Sequence, residues 1–488
     1  MIGDDAVWVG FDLGTQSARA LAVSGSGEVV GRGSEPLTGT RRGPCHEQDP
    51  ELWWQALAAA SRCALDGVAP ARVRGVATDA TSGTILLVDR SGDALTPGLM
   101  YDDARAVHQA RLVNEAGKGT WDYRMQPGWA LPKLLWLLDE RSEIIPGARL
   151  SHQADYITRR LVGHEVPADS SHALKTGYDL ARDSWPREVL DELRVPGHLL
   201  PDVVRSGSRL GQICEAADRQ TGIPAGTPVI AGMTDGCAAQ LAAGALSEGS
   251  WNSVLGTTLA LKGASSERVR DPAGLLYSHR SPDGGWLPGA ASSSGAGVLS
   301  TAFPERDLDE LGRRAAEHEQ TDVLAYPLAS RGERFPFEAP GARGFLIGEP
   351  ADEGERFAAL LQGLAFLERL CFDYLDLLGA STGGDLILTG GATRGHYLTQ
   401  LRADVLGRPV RVPLSAESAF GMAVLAASDG GRVADAAAGM VQLREVIEPR
   451  EGRRERFNDG YVRLVGELEH RGWLGSALAE HARARMSA

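Results

Sequence analysis

Two aspartates and two glycine–threonine loops hold the chemistry legible in this chain of 488 residues. Asp12 lies in VWVGFDLGTQSARALAV, residues 7–23, an apolar run that otherwise reads as a buried strand. A carboxylate there is costly unless something pairs with it. Directly after it, Gly14-Thr15-Gln16-Ser17 closes a hairpin, and Gly256-Thr257-Thr258 closes another in GSWNSVLGTTLALKG. Backbone N–H groups and hydroxyls at such turns can surround a polyphosphate. Asp12 would then face the Mg2+ that accompanies it, through water. The plainer reading makes each loop an ordinary hairpin turn. Asp235 stands between the strand Val229–Ala231 and the helix Cys237–Ala243. It reads either as a helix N-cap or as the base that orients an acceptor hydroxyl and takes its proton during phosphoryl transfer. An ordinary Asp cannot deprotonate an alcohol beforehand, so geometry matters more than a raised pKa.

Other polar residues gather in two loops of the first half. Asp79, Thr81 and Ser82 lie between two predicted strands, and Tyr101-Asp102-Asp103-Ala104-Arg105 precedes a predicted helix. Hydroxyls and carboxylates converging in this way suit a polyol. The plainer roles are an N-cap for Asp103 and a surface ion pair for Arg105. Thr389-Gly390-Gly391-Ala392 follows the strand Leu386–Leu388, where bare backbone can admit an adenine ring and its ribose. No G-x-x-x-x-G-K-[ST] or strand-linked G-x-G-x-x-G occurs. The G-x-S-x-G at 379–383 precedes a strand, the wrong setting for a nucleophile elbow.

These residues need particular elements behind them. Ala6–Leu13, Ala18–Val23 and Glu28–Gly33 read as an antiparallel meander. A helix follows, with Asp49 as its cap, Pro50 first, Gly67 at its end and Trp53, Trp54, Leu57 and Leu65 on its apolar side. Val73–Thr78 and Thr84–Val88 read as strands, and Asp103 predicts a helix over Ala104–Ala116. Asp352 to Leu378 reads as a long helix stopped by Gly379, and ESAFGMAVLAA as a small-residue helix that packs closely. Similar hairpins, one in each half, suggest a duplicated architecture, with a boundary near Leu246–Gly249 that divides the chain into 1–247 and 248–488. The 64 acidic and 50 basic residues give a formal charge of −14, which argues against a nucleic-acid or anionic-membrane partner. Five cysteines without ligand or pairing spacing fit reduced thiols. Neither a signal peptide nor a bilayer-spanning stretch is evident. The expectation is a soluble, cytoplasmic α/β protein.

In order along the chain come GFDLGTQSARA, HEQDPELWW, TPGLMYDDARA, LPKLLWLLDE, DYITRRLVG, VIAGMTDGCAAQLAAGAL, SVLGTTLALKG, LLQGLAFLERL and LTGGATRGHYLTQLRADVLGRPVRV. Together, from Val7 to about Ala427, they resemble the FGGY carbohydrate kinases of the actin/hexokinase-like ATPase superfamily. The resemblance implies two ribonuclease H-like α/β domains with an interdomain cleft. It implies sugar bound mainly by the first domain and ATP with Mg2+ bound across the cleft. Asp235 then falls on the catalytic base and Asp12 on the organiser of Mg2+ and sugar. Gly14, Thr15, Gln16, Gly256, Thr257 and Thr258 fall on the phosphate loops. Gly390, Gly391 and Ala392 border adenosine, though many members have three glycines there. Thr81, Ser82, Asp102, Asp103 and Arg105 fall in the sugar-binding loops.

Common xylulokinases carry Gln-Met-His-Gly where this chain has Asp79-Ala80-Thr81-Ser82-Gly83-Thr84, and Trp-Asn-Asp-x-Arg where it has Tyr101-Asp102-Asp103-Ala104-Arg105. These stretches, with YPLASRGERFPF, look more like the D-ribulose kinases once labelled atypical xylulose kinases. D-ribulose, phosphorylated at O5, is therefore the expected substrate. D-xylulose or a related polyol is the alternative, and a non-catalytic sugar sensor on an actin-like scaffold is the alternative from another class. No nucleic-acid or membrane partner is expected, and the oligomeric state stays open, a homodimer included.

Overall fold

Parity along the first strand decides where Asp12 can go. In Val7–Leu13 successive side chains point to opposite faces. Val9, Phe11 and Leu13 join one apolar cluster with Trp53, Leu57 and Ala60 of the helix Pro50–Leu65. That helix starts as its sequence predicts, with the Asp49 carboxylate accepting from the Glu51 N–H at 2.9 Å. Gly10 faces the other side, where a Cβ would lie 1.8 Å from the Ala419 carbonyl oxygen. Asp12 shares the parity of Gly10 and so escapes the apolar cluster.

The computed structural model describes residues 5–319 and 321–486. Contacts divide the chain into two units. The first contains the chain up to Gly244, with His279–Gly285 and Ser415–Gln442; the second contains Ala245–Ser278, Trp286–Leu414 and the chain from Leu443. The sequence predicts a single domain for everything from 248 onward. The chain instead returns to the first unit with ESAFGMAVLAA, because this helix is apolar on nearly every side and must be enclosed.

In the first unit the hairpin Val7–Leu13/Ser17–Ser24 is antiparallel, and Val73–Ala80 runs parallel to its first strand. The sheet order is Arg209–Gln212, Pro228–Ile230, Val73–Ala80, Val7–Leu13, Ser17–Ser24, Val29–Pro36. Six strands of the second unit repeat it: Leu443–Ile447, Val410–Pro413, Leu386–Thr389, Trp251–Leu255, Leu259–Gly263, Trp286–Ala291. Trp251–Leu255 pairs antiparallel with Leu259–Gly263 and parallel with Leu386–Thr389. The echo between the two hairpins is thus an echo of whole sheets.

Register then sets the acidic residues side by side. Asp12 is the cross-strand partner of Asp79. Beyond Asp79, Ala80 forms an isolated parallel bridge with Thr234, the residue before Asp235. The helix Ser418–Ala427 supports this group from below. Gly10 lets it approach the first strand, and at Gly421 a Cβ would lie 1.9 Å from the carbonyl oxygen of Ala238, in the helix Asp235–Ala243. Among the described residues no helix is long and apolar enough to cross a membrane.

Gly421→Val places a branched side chain where two helix backbones touch. It is expected to cost about 3 kcal/mol in urea denaturation; a cost under about 0.5 kcal/mol, the range of ordinary surface changes, would contradict so close an approach.

Candidate active site

Asp12 meets one cation and three acids. Arg19 is its partner across the hairpin, and a guanidinium nitrogen lies 3.5 Å from the Asp12 carboxylate. The Arg19 side chain is half exposed, so its charge is partly screened. Burial pushes the Asp12 carboxyl up to about 6, against the pull of Arg19, and the charges of Asp235 and Glu417 add to the rise. Asp79 is wholly buried. No N–H or hydroxyl among the described residues reaches either of its oxygens. It faces the Asp12 carboxylate, and two carboxylates in contact cannot both ionise cheaply. Burial first, and then the charges of Asp12 and Asp235, hold Asp79 well above the usual carboxylate range. Of the two, Asp79 is the more strongly disfavoured from ionising.

Asp235 is not the N-cap that its setting suggests. Thr234 occupies the cap and Asp235 opens the helix, its Oδ1 accepting from the Gly236 N–H at 2.8 Å. The preceding turn is fixed elsewhere: the Thr234 N–H donates to Ser171 Oγ at 3.2 Å, and Ser418 Oγ donates to the Asp235 carbonyl at 3.3 Å. Its carboxylate is left for other partners.

The first glycine–threonine loop is closed by the Gly14 N–H donating to the Ser17 carbonyl at 3.1 Å. Gly14 and Gly256 are not left-handed; they leave backbone bare rather than allow a forbidden turn. Gln48 Nε2 donates to the Thr15 carbonyl at 2.7 Å, and Trp53 Nε1 donates to Gln48 Oε1 at 2.7 Å. The helix below thus holds the loop by a two-bond chain that no sequence signal marks. The Leu37 N–H donates to the carbonyl of Gln16, whose side chain is exposed. In the second unit Gly256 repeats the closure, its N–H donating to Thr258 at 3.1 Å. There too Gly390 has φ of +89°, and a Cβ would meet the Leu255 carbonyl oxygen at 2.6 Å. Gly391 is exposed, and Ala392 is partly buried against the core.

The sugar loops sort by burial. Ser82 Oγ is buried without a hydrogen-bond partner among the described residues. Thr81 Oγ1 is committed to Gln153 Oε1 at 2.8 Å and to Thr84. Asp102 is partly open and pairs with Arg41 at 2.5 Å and His46 Nδ1 at 2.6 Å. Burial alone would raise its pKa, but the hydrogen bonds from His46 and Arg41 bring it below the usual range. Asp103 departs from its expected role twice. The helix begins at Val107, with Ala106 as its cap. Asp103 itself has no exposed surface and accepts from the His46 N–H at 2.7 Å and Arg105 Nη2 at 2.7 Å. Arg105 also reaches Glu47 at 2.6 Å. Asp103 and Arg105 brace the loop rather than offer free groups.

Tyr101 joins the site, and the buried Lys133 holds the backbone just before it. Tyr101 is 46% exposed, hydrogen-bonds Thr15 and feels the charge of Asp235. Lys133 is buried, and its Nζ donates to the carbonyls of Leu99 at 2.9 Å and Met100 at 2.6 Å. Burial pushes its pKa down to about 7.

Asp12, Asp79, Asp235, Tyr101 and Thr15 therefore come together in the first unit, while Gly256–Thr258 and Gly390–Ala392 belong to the second. The acids of this group stand at the carboxyl ends of parallel strands, beside a bare-backbone hairpin, where ligands commonly bind in open α/β sheets. Residues 7–242 match the N-terminal domain, and residues 251–429 the C-terminal domain, of the FGGY family of carbohydrate kinases. The chain belongs to that family and is an ATP-dependent sugar kinase with the two-domain α/β fold of the actin/hexokinase-like ATPases. It is 32% identical over 437 residues to a xylulose kinase of Streptomyces coelicolor, covering 86% of this chain and 87% of that protein. Its fold is similar to a Brucella ovis protein named xyloylose kinase, with a TM-score of 0.87 and 23% identity over 96% of this chain and 99% of the other. A xylulose kinase of Rhodospirillum rubrum gives a TM-score of 0.85 and 25% identity over 95% and 99%.

The raised pKa of Asp12 has a consequence for stability. Between about pH 4 and 6 the folded protein holds a proton that the unfolded chain releases, so stability falls as pH rises through that window. Asp12→Asn removes the penalty. It is expected to stabilise the ligand-free protein by about 2–3 kcal/mol at pH 7, since each tenfold change in proton affinity is worth roughly 1.4 kcal/mol, and by close to nothing at pH 4. Thermal unfolding across that range checks this; a variant less stable than the parent at pH 7 would contradict it.

Proposed function

We propose that the chain phosphorylates the primary hydroxyl of a ketopentose with ATP, D-ribulose ahead of D-xylulose. The observation that carries the choice is the loop after the strand Val73–Ala80. It presents a wholly buried Asp79 against Asp12 and a buried Ser82 hydroxyl without a hydrogen-bond partner among the described residues, in place of the Gln-Met-His-Gly of common xylulokinases. D-xylulose is the second reading, favoured by the relative at 32% identity that bears that name.

In this reading Asp235 orients the acceptor hydroxyl. The sugar oxygen bonds to the γ-phosphorus, the bond from phosphorus to the ADP oxygen breaks, and the hydroxyl proton passes to the Asp235 carboxylate. Gly14, Thr15 and Gln16, with Gly256, Thr257 and Thr258, donate to phosphate oxygens, and Gly390, Gly391 and Ala392 border adenosine. Ser82 and Asp102 face the sugar, with Thr81, Asp103 and Arg105 holding the two loops. Among the described residues no three His, Cys, Asp or Glu side chains could hold a metal by themselves. That suits Mg2+, which usually takes one or two carboxylates and completes its shell with phosphate and water. The acid-rich group around Asp12, countered among the described residues by a half-exposed Arg19, fits such a cation. Asp12 would hold it, and its chemistry there is to neutralise phosphate charge.

Asp235→Asn is expected to lower kcat by ~10²–10⁴ with folding intact; near-parental turnover would remove Asp235 from this role. Coupled ADP release across D-ribulose, D-xylulose, pentitols, glycerol and gluconate is expected to give the highest kcat/KM for D-ribulose. A higher value for D-xylulose would install the second reading, and sugar binding without ADP release would favour a sensor.

A further inference from the structure

We propose that Glu333 is a positioning residue for the Gly256-Thr257-Thr258 loop, acting through the segment 292–297; this rests on the phosphate-binding reading of that loop.

Glu333 is buried in the second unit and ringed by donors. Its Oε1 accepts from the Ser293 N–H at 2.6 Å, the Arg334 N–H at 2.9 Å and Ser292 Oγ at 3.0 Å. Its Oε2 accepts from Tyr326 Oη at 2.7 Å and Ser294 Oγ at 2.9 Å. A carboxylate so surrounded fixes the backbone that carries its donors. That backbone in turn grips the loop. The Leu259 N–H donates to the Ser294 carbonyl at 2.7 Å, and the Ser292 N–H to the Leu259 carbonyl at 2.9 Å. The Ala296 N–H donates to the Gly256 carbonyl at 2.8 Å, and the Gly297 N–H to the Thr257 carbonyl at 3.2 Å. Gly295 lies so close that a Cβ would be 2.4 Å from Thr258 Cα. With its carbonyls held from behind, the loop has its own N–H groups and hydroxyls aimed by the segment, and the segment is aimed by Glu333.

The two oxygens predict different responses. Oε1 faces three main-chain N–H groups, of Ser293, Arg334 and Phe335, which can only donate, besides the Ser292 hydroxyl; Oε2 faces two hydroxyls, which can turn and accept. Glu333→Gln can therefore keep the Oε1 bonds and satisfy its new amide with Tyr326 and Ser294. Glu333→Ala cannot.

The test is ADP affinity by calorimetry without sugar, together with KM for ATP and for the ketopentose. Glu333→Ala is expected to raise the ADP Kd and the KM for ATP about 10- to 100-fold, with the KM for sugar within about twofold. Glu333→Gln is expected to return both nucleotide constants to within about threefold of the parent. Unchanged ADP affinity in Glu333→Ala, or a Glu333→Gln protein as impaired as Glu333→Ala, would overturn the proposal. So would an equal rise in both KM values that tracks lost thermal stability. If Glu333→Ala does not fold, Ser294→Ala removes a single donor. It is expected to weaken ADP about threefold without altering the KM for sugar, and unchanged ADP affinity there would overturn the proposal too. Because ADP binding is read without sugar, a parent protein that phosphorylates no ketopentose would overturn the substrate reading and not this one.

Discussion

Around Asp12, in the first unit, buried acids outnumber the cation that faces them. Asp12 and Asp79 are cross-strand partners, and Asp235 follows the residue bridged to the end of the same strand. The cation beside Asp12 is the half-exposed Arg19. A protein that needed only stability would not gather carboxylates in this way, since desolvation alone makes each of them costly. The arrangement becomes reasonable when one member keeps a proton and the charge of the others is met by what binds. Residues at a functional site break local rules that the rest of the fold obeys.

Holding such a group together requires close backbone packing nearby. The helix Ser418–Ala427 provides it, reaching the first strand at Gly10 and the helix of Asp235 at Gly421. The chain must return to the first unit from far along the sequence to deliver this helix. The second unit uses the same sheet order but treats its loop differently. There a segment braced by a buried glutamate supports the glycine–threonine hairpin, whereas in the first unit Trp53 and Gln48 hold it.

Much of this was legible from residue types. The helix start at Asp49-Pro50, the paired hairpins and the close-packing ESAFGMAVLAA are local signals, and the structure contains each of them. Which unit the last belongs to was not legible, because a buried apolar helix carries no mark of its neighbour. Asp103 misled for a related reason. An Asp before a helix reads as a cap, but this one is taken by Arg105 two residues on and by the His46 N–H, which only the fold brings to it. Asp79 was visible as a polar residue of the sugar loop, yet its contact with Asp12 depends on strand register, which a sequence states only indirectly. Glu333 sits in an irregular stretch whose partners arrive from residues 292–294 and from Tyr326, so periodicity could not reveal it.

The excess of buried acid is the claim on which the rest depends, and it can be read one carboxyl at a time. Selective labelling of aspartate with carbon-13 at the side-chain carboxyl, followed by NMR titration of the ligand-free protein, resolves it. One carboxyl is expected to titrate near pH 6 and to vanish from the spectrum of Asp12→Asn. A spectrum in which every aspartate titrates at or below about pH 4, the range of an unperturbed side chain, would contradict the account.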